Sequence, residues 1–155
     1  MKYKVSLNID RPVDDVTRLF SDPEHIKKWQ PELVSMTLLD GEAGEAGSKT
    51  RLKFKLNGRE MEMTETIVFN NLPKEFTSTY ETKGVYNIQT NHFEKVGEKK
   101  TKWTTISEFR FSGFMKWIGW LMPHSFRRQT LKYMRRLKAL AENNTDPDHP
   151  AKQKS

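Results

Sequence analysis

The sequence predicts an α+β fold: a curved, seven-stranded antiparallel sheet, two short helices after the first strand, and a long C-terminal helix over the concave face. Three observations predict it. Seven segments read as strands, most of them alternating apolar and polar residues with the period of a half-buried strand. Six of these follow one another through short turns, as antiparallel hairpins do. The segment from Pro123 to about Glu142 carries an apolar stripe at helical spacing opposed by a basic one.

In chain order, Tyr3, Val5, Leu7 and Ile9 alternate with Lys4, Ser6 and Asn8, and Asp10-Arg11-Pro12 ends this first strand. Val13, Val16, Leu19 and Phe20 return at helical spacing, with Pro12 at the start, where a missing N–H costs nothing. Ser21-Asp22-Pro23 opens a second short helix to about Trp29, and Gln30-Pro31 stops it. Val34, Met36 and Leu38 form the next strand, followed by a small-residue, acidic turn from Gly41 to Gly47. Leu52, Phe54 and Leu56 alternate up to Asn57-Gly58, a strong hairpin signal. The partner strand carries Met61, Met63, Glu65, Ile67 and Phe69 on one side, and Asn71-Leu72-Pro73 turns the chain. Phe76, Ser78 and Tyr80 follow. Ser78, Ser107, Asn87, Gln89 and Asn91 could put polar groups on the cavity wall, but residues 85–93 make a strand without clear apolar parity, so its inward side stays unassigned. After Glu98-Lys99-Lys100, residues 102–111 include Trp103, Phe109 and Phe111. An apolar link, Phe114 to Met122, leads into the last helix. At about 100° per residue, Phe126, Thr130, Tyr133, Met134, Leu137, Leu140 and Ala141 share one arc, with Leu131 out of place. Residues 143–155 are polar with two prolines and are expected to be a disordered tail, leaving one domain over 1–142.

Composition narrows the function classes. A chain of 155 residues and 18.3 kDa fits one domain, and the absence of cysteine excludes disulfides, thiolate metal sites and cysteine nucleophiles. No apolar run approaches the ~20 residues of a membrane span, and MKYKVSLNID lacks the apolar stretch of a secretion signal, so a cytoplasmic protein is expected. The net charge of +7 is concentrated: residues 115–142 hold seven Lys/Arg and one acid, while residues 1–114 are nearly balanced. A nucleic-acid binder would spread its basic residues over a docking face, so no nucleic acid is expected. His25, His92, His124 and His149 stand at no metal-ligand spacing, so neither a metal nor a cofactor is expected. No nucleophile-elbow, Walker or dinucleotide glycine pattern occurs, and the glutamates of the Gly41–Gly47 turn would repel phosphate.

Two segments carry a resemblance: Val5-Ser6-Leu7-Asn8-Ile9 followed by Asp10-Arg11-Pro12-Val13-Asp14-Asp15-Val16, and Leu19-Phe20-Ser21-Asp22-Pro23-Glu24 leading to Trp29-Gln30-Pro31. With Phe109 to Phe111, the apolar link and the Arg-rich helix, they make residues 1–142 similar to the START-like (SRPBCC) superfamily, the polyketide cyclase/dehydrase-like or helix-grip proteins that include the birch pollen allergen family. The resemblance implies a helix-grip fold. It does not name a role, because the superfamily includes lipid carriers, hormone-binding proteins, cyclases and chaperone-ATPase activators.

A single helix does not fill a curved seven-stranded cup, so a cavity is expected between helix and sheet. Strand parity puts Met36, Leu38, Leu52, Phe54, Met63, Ile67, Tyr80, Trp103 and Phe109 on one side, faced by helix residues Phe126, Tyr133, Met134 and Leu137. These residues line a ligand pocket or make a filled core. The candidate ligand-binding residues are Trp29, Met36, Leu38, Phe54, Met63, Glu65, Ile67, Tyr80, Trp103, Phe109, Trp117, Phe126 and Met134. Glu65 stands out as a carboxylate on an apolar face: a ligand anchor or general acid, or an ordinary glutamate paired with a residue such as Arg110. Trp117 and Trp120 read as a gate over the cavity, as a membrane contact, or as packing on the sheet end.

The expected function is binding or transport of a small hydrophobic ligand, lipid or polyketide-like, oriented by Glu65 and Tyr80. One alternative is a cyclase or dehydratase in which Glu65 and a Tyr or His move protons. Another is an interaction module whose basic helix docks on a membrane or an acidic protein; of the two, peripheral membrane contact ranks below ligand binding. No residue is assigned as catalytic, and the oligomeric state is not legible.

Overall fold

The chain runs β1 (Lys2–Ile9), α1 (Val13–Ser21), α2 (Pro23–Trp29), β2 (Leu33–Asp40), β3 (Lys49–Leu56), β4 (Arg59–Asn71), β5 (Glu75–Thr82), β6 (Val85–Gly97), β7 (Lys100–Phe111), α3 (Met115–Leu121) and α4 (Pro123–Glu142). This is a computed structural model that describes residues 1–143, so the expected tail lies outside the described residues except for Asn143, which caps α4. Among these residues seven strands form one curved antiparallel sheet in the order β1-β7-β6-β5-β4-β3-β2.

Turn chemistry sets the register. Asn57 (φ 52°) and Gly58 (φ 78°) take the left-handed conformations of a two-residue hairpin turn. That turn pairs Leu56 with Arg59, and so Leu52 with Met63 and Thr50 with Glu65. The β4–β5 register then places Tyr80 opposite Glu65. A bulge between Ile67 and Phe69 shifts the alternation by one residue. This corrects the expectation for Phe69: it leaves the inner face and is 44% exposed, and Asn70 takes its place opposite Phe76.

Helix α2 starts at Asp22, whose side chain accepts the Glu24 N–H at 2.9 Å, with Pro23 in the first turn. The core lies where α1, α2 and α4 meet the sheet: Val5, Ile9, Val16, Leu19, Phe20, Trp29, Phe93, Trp103, Met134 and Leu137 are buried there, each worth about 1.5–3 kcal/mol in apolar burial. Leu131 is not stray, since it packs part-buried against this cluster. Two polar ties hold α4 down. The Arg136 guanidinium reaches both Glu32 carboxylate oxygens at 3.0 Å, and the Tyr3 and Thr130 hydroxyls hydrogen-bond at 2.7 Å. The apolar link is itself helical, as α3. No helix among the described residues is long and apolar enough to cross a membrane.

Candidate ligand-binding cavity

Between the sheet, α2 and α4 lies a cavity of about 180 Å³. Met36, Thr50, Glu65, Ile67, Tyr80, Gln89 and Trp103 face it from six strands, Ile26 and Trp29 from α2, and Thr130, Tyr133 and Met134 from α4. Its exposed lining residues are Ser21, Pro23, Ala43, Gly44 and Asn70, which places the mouth between the start of α2 and the β2–β3 turn. There the Asn70 amide donates to the Gly44 carbonyl at 2.7 Å and ties the turn to β4.

An aromatic cluster makes the floor: Phe20 packs edge-on against Phe76, Phe93 and Trp103, and stacks with Trp29. Both indoles are held by hydrogen bonds. Trp29 Nε1 donates to the Leu19 carbonyl at 3.0 Å, and Trp103 Nε1 to Asn91 Oδ1 at 2.9 Å, an oxygen that also accepts the Thr105 hydroxyl at 2.8 Å. The rings facing the hollow are therefore fixed before any ligand arrives.

Glu65 and Tyr80 put the strongest polar chemistry on this wall. Both are half-buried by surface area yet surrounded by protein, because the surface they keep faces the cavity. Burial raises the Glu65 carboxyl above the ordinary carboxylate range, and hydrogen bonding from the Tyr80 hydroxyl offsets part of that rise. Burial first, and the neighbouring Glu65 second, push the Tyr80 phenol well above its ordinary value. Tyr80 thus stays a neutral donor, while Glu65 holds its proton to higher pH than a free carboxyl. On α4, burial raises the Tyr133 phenol. Among the described residues no three His, Asp or Glu side chains gather as a metal-ligand set.

Comparison with protein families matches residues 1–142 to the polyketide cyclase/dehydrase and lipid transport model. The chain belongs to this family. Its fold is the START-like helix grip, as the solved structures show. A conserved protein from Geobacillus kaustophilus superposes with a TM-score of 0.76 at 13% identity, covering 91% of this chain and 95% of that one. Norcoclaurine synthase from Thalictrum flavum, solved with dopamine and hydroxybenzaldehyde, gives 0.67 at 15% identity, covering 90% and 85%. The di-domain ARO/CYC protein BexL gives 0.75 at 18% identity; 96% of this chain matches 48% of that one, about half its length. At these identities the likeness is one of fold. No curated protein sequence matches the chain.

In this polyketide cyclase/dehydrase-like chain, seven of the sequence candidates line the cavity: Trp29, Met36, Glu65, Ile67, Tyr80, Trp103 and Met134. Six do not. Leu38 has the inward parity but lies on the outermost strand, β2, and is 47% exposed. Phe54 and Met63 pack with Leu33 and Leu52 in a separate cluster under the β2–β3 edge. Phe109 and Phe126 fill space instead of facing it: their ring centroids are 4.7 Å apart, and Phe111 joins them at 5.8 and 5.6 Å. Trp117 points out of the fold at 64% exposure, so α3 is no gate over this cavity. Glu65 has no contact with Arg110, which pairs instead with Glu108 at 3.3 Å on the outer face. Gln89, one of the polar residues that could reach the wall from β6, does line it; sequence reasoning missed Phe20, Phe76, Thr105 and the mouth residues Ala43, Gly44 and Asn70. Asn87, Gln89 and Asn91 alternate on β6, and two of them, Asn87 and Asn91, are buried.

Proposed function

We propose that this protein binds a compact small molecule, with an apolar body and one hydrogen-bonding head, in the cavity between sheet and α4. The observation that carries the reading is the Glu65–Tyr80 pair facing into an otherwise mostly apolar, aromatic-floored hollow. Size selects the ligand class. About 180 Å³ is close to the ~150 Å³ hollow that accepts benzene, and below the ~300–1,000 Å³ of drug-sized pockets. A single ring or a short branched chain fits; a two-chain lipid does not. Tyr80, and Glu65 while protonated, donate hydrogen bonds to a carbonyl or hydroxyl head. The test is native mass spectrometry of freshly purified protein, followed by calorimetric titration with single-ring phenols and aromatic ketones. Met36→Trp, which places bulk at a half-buried wall position, should weaken binding at least tenfold. Undiminished binding to Met36→Trp, or preference for a two-chain lipid, overturns the reading.

A second reading is favoured by the raised Glu65 carboxyl lying beside a neutral phenol: a cyclase-type enzyme in which Glu65 protonates a substrate carbonyl that Tyr80 orients. Turnover of short β-keto substrates should then fall on Glu65→Ala. Turnover that survives this substitution unchanged removes Glu65 as the acid.

A further inference from the structure

The connection between β7 and α4 reverses the usual packing of a helix on a sheet. α3 presses its smallest side chain inward: a Cβ on Gly119 would lie 2.5 Å from the Phe111 ring. Met115 sits so close to the β5–β6 turn that a Cβ on Gly84 would come within 2.6 Å of its Cγ. The large residues face solvent, with Trp117 64%, Trp120 75%, Phe114 77% and Met122 51% exposed. Aromatic side chains carry about 150–250 Å² each, so the three here present roughly 400 Å². That is the size of the largest apolar patch on a typical monomer, one that is often functional.

The charge around the patch has one sign. From Phe109 to Ala141 there is no acidic residue and there are eight Lys/Arg. Lys116 is exposed on α3, and Arg127 and Arg128 are exposed early in α4. The helix dipole favours anions at that end, so these two cations cost α4 stability. Further along, Arg136 and Lys138 are engaged by Glu32 and Glu142. Among the described residues Lys116, Arg127 and Arg128 form no ion pair.

We propose that α3 and the first turns of α4 form a docking surface for an anionic lipid bilayer. Phe114, Trp117 and Trp120 seat at the headgroup–acyl boundary, where amphipathic aromatic rings belong, and Lys116, Arg127 and Arg128 meet lipid phosphates. Charge decides against a second copy, since Lys116, Arg127 and Arg128 of two copies would face one another, and indole rings flanked by cations suit a bilayer interface better than a protein one. The surface is separate from the cavity, and the inference does not rest on what the cavity binds.

The test is co-sedimentation of the full chain with phosphatidylcholine vesicles, with and without phosphatidylserine. Binding is expected to the anionic vesicles, to weaken steeply with salt, and to be slight on phosphatidylcholine alone. Trp117→Ala/Trp120→Ala should lose at least tenfold in affinity with the melting temperature unchanged. Arg127→Ser/Arg128→Ser should lose about 25-fold, roughly fivefold per cation. Three results overturn the proposal: no sedimentation with anionic vesicles, undiminished binding by the double Trp variant, or a wild-type dimer that the double Trp variant turns into a monomer.

Discussion

Removing Tyr80 alone from the Glu65–Tyr80 pair should cost more than removing both groups. Tyr80→Phe leaves a carboxyl without its donor inside the fold, at a cost of about 1–3 kcal/mol. Glu65→Leu removes the group whose burial is expensive, so its cost is smaller or reversed. The double variant should return to wild-type stability or exceed it, giving a coupling of about 1–2 kcal/mol across the cycle. In a chain of this size each kcal/mol moves the melting point by about 2–4 °C. The sign with pH follows from linkage. The folded state holds the Glu65 proton more tightly than the unfolded chain, so the contribution is fully present below the ordinary value of 4.5 and is lost as pH rises through the folded value. The gain from Glu65→Leu should therefore be larger at about pH 8 than at about pH 4. Urea midpoints of the four proteins at both pH values, at constant m, measure all of this. A coupling below about 0.3 kcal/mol, the ordinary limit of additivity, or a Glu65→Leu effect that is flat with pH, would refute the placement of this carboxyl against Tyr80.

Three further outcomes are expected. Asn91→Ala strips the acceptor from both the Trp103 indole and the Thr105 hydroxyl, and should cost about 2–5 kcal/mol in urea unfolding; a loss under about 1 kcal/mol would mean that the floor does not depend on this network. Burial pushes Glu32 up, but its own backbone N–H and Arg136 outweigh that and hold it below 4.5; its stabilisation is present above that value and is lost as pH falls through the folded one. Arg136→Ala should accordingly cost up to about 1 kcal/mol near neutral pH and almost nothing in acid, read from melting curves. Gly119→Ala drives a methyl into the Phe111 ring and should speed amide exchange over 115–121 while leaving the second half of α4 protected, at about 1–3 kcal/mol; unchanged exchange would place α3 elsewhere.

What the amino-acid pattern made legible was the side each residue takes, and what it hid was position along the curved sheet. Alternation put Leu38, Phe54, Ile67 and Phe109 on one face, yet only Ile67 reaches the hollow. Leu38 belongs to an edge strand with nothing above it, and Phe109 meets two other phenylalanines that close the space. Depth of that kind depends on sheet curvature and on which side chains arrive from α4, neither of which has a local period. Strand β6 resisted for a different reason: its inward residues Asn87, Gln89 and Asn91 are polar, and the partners of Asn87 and Asn91, namely Ser107, Thr105 and Trp103, come from another strand. A search for apolar parity cannot see an inward face made of satisfied amides. Helix α3 escaped because seven residues, apolar nearly all round, show no stripe. The exposure of Trp117 and Trp120 is thus information that only the fold could supply, because it follows from Gly119 lying so close to the Phe111 ring that a side chain there would collide with it.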